Sequence, residues 1–103
     1  MIEIGTTPTH IFEDIPTDIC SMAKEVKITY KQSDNEVLVK RTGDCTIGDG
    51  KITTRLSQED TFCFDHEDLV SIQIRILTQS GECFKSDEMV VTAGKCLDDE
   101  VLV

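Results

Sequence analysis

Residues 69–78 alternate strictly. Val70, Ile72, Ile74 and Ile76 fall on one phase, and Ser71, Gln73 and Arg75 on the other. Successive side chains of an extended chain point to opposite faces, so a period of two built on β-branched residues predicts a half-buried strand. Val26-Lys27-Ile28-Thr29-Tyr30-Lys31 repeats the alternation, and Glu36-Val37-Leu38-Val39-Lys40 follows it less strictly. The intervening Gln32-Ser33-Asp34-Asn35 is turn chemistry, and the three pieces together predict a hairpin.

A short Cys45-Thr46-Ile47 and the run Lys51-Ile52-Thr53-Thr54-Arg55-Leu56 flank Gly48-Asp49-Gly50, whose glycines tolerate the positive φ of a tight turn. Gln79-Ser80-Gly81-Glu82 turns the chain into residues 83–92, which are expected to pair back on the preceding strand. Their phase slips at Ser86-Asp87, where a bulge or a change of sheet is expected. Residues 6–11 are the expected first strand. Two segments break the two-residue period. Ser57-Gln58-Glu59-Asp60 has the form of a capping box, with Phe62 and Phe64 placed to plug a sandwich end. Pro16-Thr17-Asp18-Ile19-Cys20-Ser21-Met22-Ala23-Lys24 reads as a single helical turn capped by Thr17 or Asp18, between extended stretches.

About seven short strands at regular spacing, with no long helix to cover a parallel sheet, predict an all-β fold. The expected architecture is an antiparallel immunoglobulin-like β-sandwich with one or two short helical turns. At 103 residues it forms a single β-sandwich domain spanning 1–103. Trp is absent and aromatics make up only 5%, so the core must rest on Ile, Val and Leu.

Charge narrows the partners. Twenty acids against ten Lys and Arg leave a formal net charge of −10. No direct nucleic-acid binding is expected, because affinity for phosphates comes mainly from cations displacing counterions. The densest acidic runs are Asp65-His66-Glu67-Asp68 and Asp98-Asp99-Glu100. No continuous apolar stretch approaches a membrane span, and the first residues lack a basic start. The expectation is therefore a protein that is intracellular when made, with no membrane partner.

The candidate chemistry is thin. Cys20, Cys45, Cys63, Cys83 and Cys96 are odd in number and widely spaced, which predicts reduced thiols rather than disulfides or a zinc site. Cys63 with His66 is the one sequence-local pairing of a thiol with a base, but the surrounding Asp65, Glu67 and Asp68 would oppose a thiolate. Glu13-Asp14 and Asp98-Asp99 are carboxylate pairs, and neighbours on an extended chain face opposite ways. No catalytic residue, no metal ligand and no cofactor is assigned. Weak partner-binding candidates are Phe84, beside the Gly81 turn, and the terminal Val101, Leu102 and Val103, which are apolar groups in polar surroundings.

Four motifs carry a resemblance over nearly the whole chain: Gly5-Thr6-Thr7-Pro8-Thr9-His10, Leu56-Ser57-Gln58-Glu59-Asp60-Thr61-Phe62, the strand 70–77 closed by Ser80-Gly81-Glu82, and the ending Lys95-Cys96-Leu97-Asp98-Asp99-Glu100-Val101-Leu102. Together they resemble a family of small proteins encoded in prophages of gut Firmicutes. More loosely, the order of strand, helical turn, strand, Ser-Gly hairpin and strand is similar to the immunoglobulin-like N-terminal domain of phage baseplate upper proteins. Neither family supplies catalytic residues. The resemblance implies a non-enzymatic structural or accessory module of a phage head, tail or baseplate, made in the host cytoplasm and with the virion as a possible destination, that binds a protein, either a phage structural protein or another copy of itself. The alternative is an acidic intracellular inhibitor or DNA mimic that occupies a host enzyme, which requires carboxylates such as Asp34, Glu36, Asp44 and Asp49 to form one ridge.

Overall fold

The computed structural model describes all residues, Met1–Val103. Ten strands and two short helices follow one another along the chain. They are β1 (Ile2–Glu3), β2 (Thr9–Phe12), α1 (Thr17–Ser21), β3 (Ala23–Gln32), β4 (Asn35–Arg41), β5 (Cys45–Gly48), β6 (Lys51–Arg55), α2 (Gln58–Phe62), β7 (Val70–Thr78), β8 (Cys83–Lys85), β9 (Met89–Val91) and β10 (Ala93–Gly94). A 3-10 turn, Thr42–Asp44, joins β4 to β5. The predicted fold class holds: antiparallel pairing dominates, and only β1 and β10 run parallel.

The local chemistry of each turn explains the boundaries. Ser33 and Asp34 both adopt positive φ, 48° and 65°, so the hairpin closes on two residues and its strands extend to Gln32 and Asn35, one residue further at each end than the sequence implied. Gly50, at φ 71°, closes the β5–β6 turn. Between β8 and β9 the pairing with β7 slips by one residue, from Ile76↔Phe84 to Ile72↔Met89, as the irregular phase at Ser86-Asp87 predicted. There Ser86 N–H donates to the Ile74 carbonyl at 2.9 Å, and the Ser86 hydroxyl takes the Ile74 N–H at 3.1 Å. One serine thus satisfies both backbone groups that the bulge would strand.

Three expectations are corrected. About seven strands become ten, because residues 83–92 divide at the bulge, the N-terminal segment divides at Gly5, and Ala93–Gly94 form a further short strand. Residues 6–11 are not the first strand: Thr6 N–H turns back to the Glu3 carbonyl at 3.3 Å and Pro8 has no N–H to give a ladder, so pairing restarts at Thr9. Gly5 sits at φ 86°, where a Cβ would meet Cys96 Sγ at 2.9 Å. Neither Thr17 nor Asp18 caps α1. The cap position is Pro16, which makes no side-chain cap bond, while its carbonyl accepts from Cys20 N–H at 3.1 Å. The capping box of α2 forms as expected: Asp60 N–H donates to Ser57 Oγ at 3.1 Å, and Ser57 N–H donates to Asp60 Oδ2 at 2.9 Å.

One sheet has the order β2-β6-β5. The other has the order β4-β3-β7-β8, with β9 also pairing with β7. The strand order is that of an immunoglobulin-like sandwich, with the small sheet in the B-E-D positions and the large sheet in C′-C-F-G, while β1 and β10 form a separate parallel pair. The core lies between the sheets. Val26, Ile28 and Tyr30 of β3 and Val70, Ile72, Ile74 and Ile76 of β7 meet Ile52 of β6 and Leu56 just beyond it, each at most 6% exposed. The predicted row on β7 is therefore buried on one inner face. Phe64 joins it, edge-on to Tyr30 at 5.8 Å between centroids, while Phe62 is half-buried at the same end.

Buried polar side chains tie the loops to this core. Gln32 is 6% exposed, takes the Asp65 N–H at 2.8 Å and donates to the Asp65 and Asp68 carbonyls at 2.6 and 3.1 Å. Thr61, fully buried, accepts from Gly5 N–H at 3.0 Å and donates to the Thr6 carbonyl at 3.1 Å. No buried side-chain nitrogen or oxygen lacks a partner.

Candidate functional site

A sandwich whose two sheets differ in width leaves one flank open. Here β2 is the outermost strand of the three-stranded sheet, and β8 and β9 form the outer edge of the five-stranded one. Between them runs a cleft of about 440 Å³, walled by Met1, Ile11, Phe12 and Ile15 on one side and by Met89 and Val91 on the other, with Ile72 and Ile74 at its floor. Met1, Ile11 and Met89 are 73%, 53% and 37% exposed. The cleft is therefore an uncovered margin of the hydrophobic core, bordered by edge strands with unpaired backbone groups.

Antibody domains pin their sheets with a disulfide packed by a tryptophan. In this chain the tie is polar. His10 Nδ1 on β2 and Tyr30 Oη on β3 share a hydrogen bond of 2.7 Å across the sandwich, with ring centroids 5.7 Å apart. Burial holds the His10 pKa below its usual value, with help from the N-terminal charge, and burial pushes the Tyr30 phenol far up, with Cys45 and Asp60 adding to it. Both groups therefore stay uncharged at neutral pH. A second tie joins Lys40 Nζ to Asp60 Oδ2 at 2.6 Å, with 13% and 20% of the two side chains exposed. Burial alone would raise the Asp60 carboxyl, but the Lys40 and Ser57 hydrogen bonds outweigh it and the pKa is lowered.

The residues singled out from the sequence are placed on separate parts of the surface. Phe84 lies on β8 opposite Ile76, 38% exposed, so it borders the core at a sheet edge rather than filling it. The tail is docked rather than frayed: Gln58 Nε2 donates to the Leu102 carbonyl at 2.9 Å, and Leu102 N–H donates to Gln58 Oε1 at 2.8 Å. Val101 is half-buried by this, while Leu102 and Val103 stay exposed. Phe84 thus belongs to the β8 edge and the tail to α2, and the fold does not gather them into one site.

Cys63 and His66 do not form a dyad. The Cys63 thiol turns to the Glu59 carbonyl at 3.4 Å, and the His66 ring lies 3.9 Å from both Asp65 and Glu67. The five cysteines carry free thiols, and no group of three His, Cys, Asp or Glu side chains is arranged to hold a metal ion. The carboxylates named for a DNA-like ridge are dispersed. Asp34 sits in the β3–β4 turn and Asp44 beyond the far end of β4, with Arg41 between them, while Asp49 lies in the β5–β6 turn of the other sheet.

The cleft residues Ile11, Phe12 and Met89 escaped sequence reasoning. Met89-Val90-Val91 does carry a signal, an unbroken apolar run in an otherwise polar stretch, but its exposure depends on β9 being an edge. No helix is long and apolar enough to cross a membrane. Comparison with family models, with curated proteins and with solved structures gave no significant match.

Proposed function

We infer that this chain is a non-catalytic binding module that docks another protein along its open flank, serving as a structural or accessory part of a phage head, tail or baseplate. The observation that carries the binding role is the apolar cleft between β2 and β9. It combines exposed Ile11, Met1 and Met89 with two edge strands, which is what addition of a partner strand or loop requires. The phage setting is supported by the sequence resemblance, and the immunoglobulin-like strand order agrees with it.

The test is a photo-crosslinking residue placed at Ile11, and in a second variant at the exposed Asn35 on β4, the far edge of the other sheet, expressed in cells that carry the chain's own gene while phage production is induced. A discrete crosslinked phage structural protein from the Ile11 position, absent from the Asn35 position, supports the reading. Equal crosslinking from both positions, or none, overturns it.

A further inference from the structure

The outward face of the five-stranded sheet is divided by charge. Its register aligns Arg41 with Lys27, Lys27 with Arg75 and Arg75 with Lys85, so four of the ten basic residues stand in one row across four adjacent strands. Strands lie about 4.8 Å apart, and like charges directly opposite one another destabilise a sheet. Of the four, only Lys27 reaches a carboxylate, Glu36 at 3.8 Å; Arg41, Arg75 and Lys85 make no ion pair, although Glu25 and Asp44 lie close by.

Four residues further along the same strands the sign reverses. There a groove of about 620 Å³ opens beside Lys31 and Ser71, and its rim carries Asp34, Glu67, Asp68 and Glu88. The neutral Thr29 and Gln73, themselves register partners, line the end of the groove nearest the row. Lys31 and Ser71 lie about 13 Å from the row along the strands. No Trp, Tyr or Phe stands on this face to stack a base, so it is poorly suited to nucleic acid.

We propose that this face binds a second copy of the chain, in a two-fold dimer whose axis passes near Thr29 and Gln73. A surface that is basic on one half and acidic on the other is complementary to itself after a half-turn, as an isologous interface demands. The rotation sets each Arg41-Lys27-Arg75-Lys85 row against the partner's acidic groove. It gives the row the counter-charges that its own sheet withholds, and it leaves the apolar flank free.

Each copy carries a formal charge of −10, and this sets a distinctive salt dependence. At about 0.01 M salt the screening length is about 30 Å and the two copies repel; near 0.1 M it falls to about 10 Å, which mutes net repulsion while close pairs survive; at 1 M, about 3 Å, the pairs weaken too. Sedimentation equilibrium at about 0.1 M salt should show dimer, with less at both extremes. The variant K27E/R75E and the variant E67K/E88K should each be monomeric, with dissociation constants raised at least tenfold. Mixed together they should form a heterodimer, because each altered half then meets an altered complement, and an unfolded variant could not be rescued in this way. A monomer across the whole salt range overturns the proposal. So does a dimer that survives both variants, since its contact would lie elsewhere, as on the flank.

Discussion

The inner and outer faces of the five-stranded sheet share one backbone, and alternate residues of β3 and β7 supply each. On the inner face Ile28, Tyr30, Ile72 and Ile74 are at most 6% exposed and pack against the second sheet. On the outer face Lys27, Thr29, Lys31, Ser71, Gln73 and Arg75 cover nothing, and four cations share a row. The inner set answers to folding: apolar, close-packed and matched across strands. The outer set places like charges opposite one another across three strand pairs, which cross-strand pairing disfavours, so folding alone does not account for it. Residues that a fold does not need are where binding is to be sought.

Replacing residues on either side of that division should separate the two roles. Ile28→Ala, at a position with no exposure, is expected to cost about 2–5 kcal/mol in urea unfolding. Its outward neighbour Thr29→Ala should stay within about 0.5 kcal/mol. Comparable losses at both positions would erase the distinction between the faces. Gln32→Leu, which removes the three hydrogen bonds clamping residues 65–68, should cost about 1–3 kcal/mol and raise amide exchange in that loop before the sheet.

Acid should test the His10 tie between the sheets and the Asp60 tie between α2 and β4. His10 has a lowered pKa in the folded state, so the unfolded chain binds its proton more readily. The stability His10 confers is present above its ordinary value near 6.5 and declines as pH falls below it. Asp60, also lowered, confers stability that is present above its ordinary value of 3.8 and is lost below it. Urea midpoints measured from pH 8 to pH 3 should fall in two stages, and His10→Gln should remove the upper one. A single stage in the parent protein would contradict the part given to His10. The smallest effect is expected on the outer face, where Arg75→Ser should leave stability unchanged or raise it by a few tenths of a kcal/mol by relieving the row. A loss of more than about 1 kcal/mol would mean that the row is structural after all.

The architecture was legible because its main strands signal themselves. The Val70, Ile72, Ile74 and Ile76 row, the Ser57 capping box and the phase slip at Ser86 each write a local physical requirement into adjacent residues. The functional surfaces were not legible, because they arise only from pairing. Lys27, Arg41, Arg75 and Lys85 are ordinary polar positions within their own strands and become a row only through the registers of three strand pairs. Ile11 and Met89 are far apart in sequence and share a cleft because β2 and β9 both end up as edges. Phe84 and the tail did read as apolar groups in polar surroundings, but one borders the core and the other is held by Gln58, a contact that spans 44 residues. The errors at residues 6–11 and at the α1 cap share a cause: at Pro8 and Pro16 a missing N–H or a fixed φ overrode the propensities of the neighbours.

The central claim, that the chain works by binding a protein along its open flank, is tested most directly by fractionating phage-induced cells on a density gradient. Tagged parent protein is to be compared with an I11D/M89D variant whose folding is verified by circular dichroism. Both positions are exposed, so the fold should tolerate the change. The parent is expected to travel with particles or their subassemblies and the variant to remain at the top of the gradient. A parent that stays at the top, or a variant that travels with the particles as fully as the parent, would contradict the account.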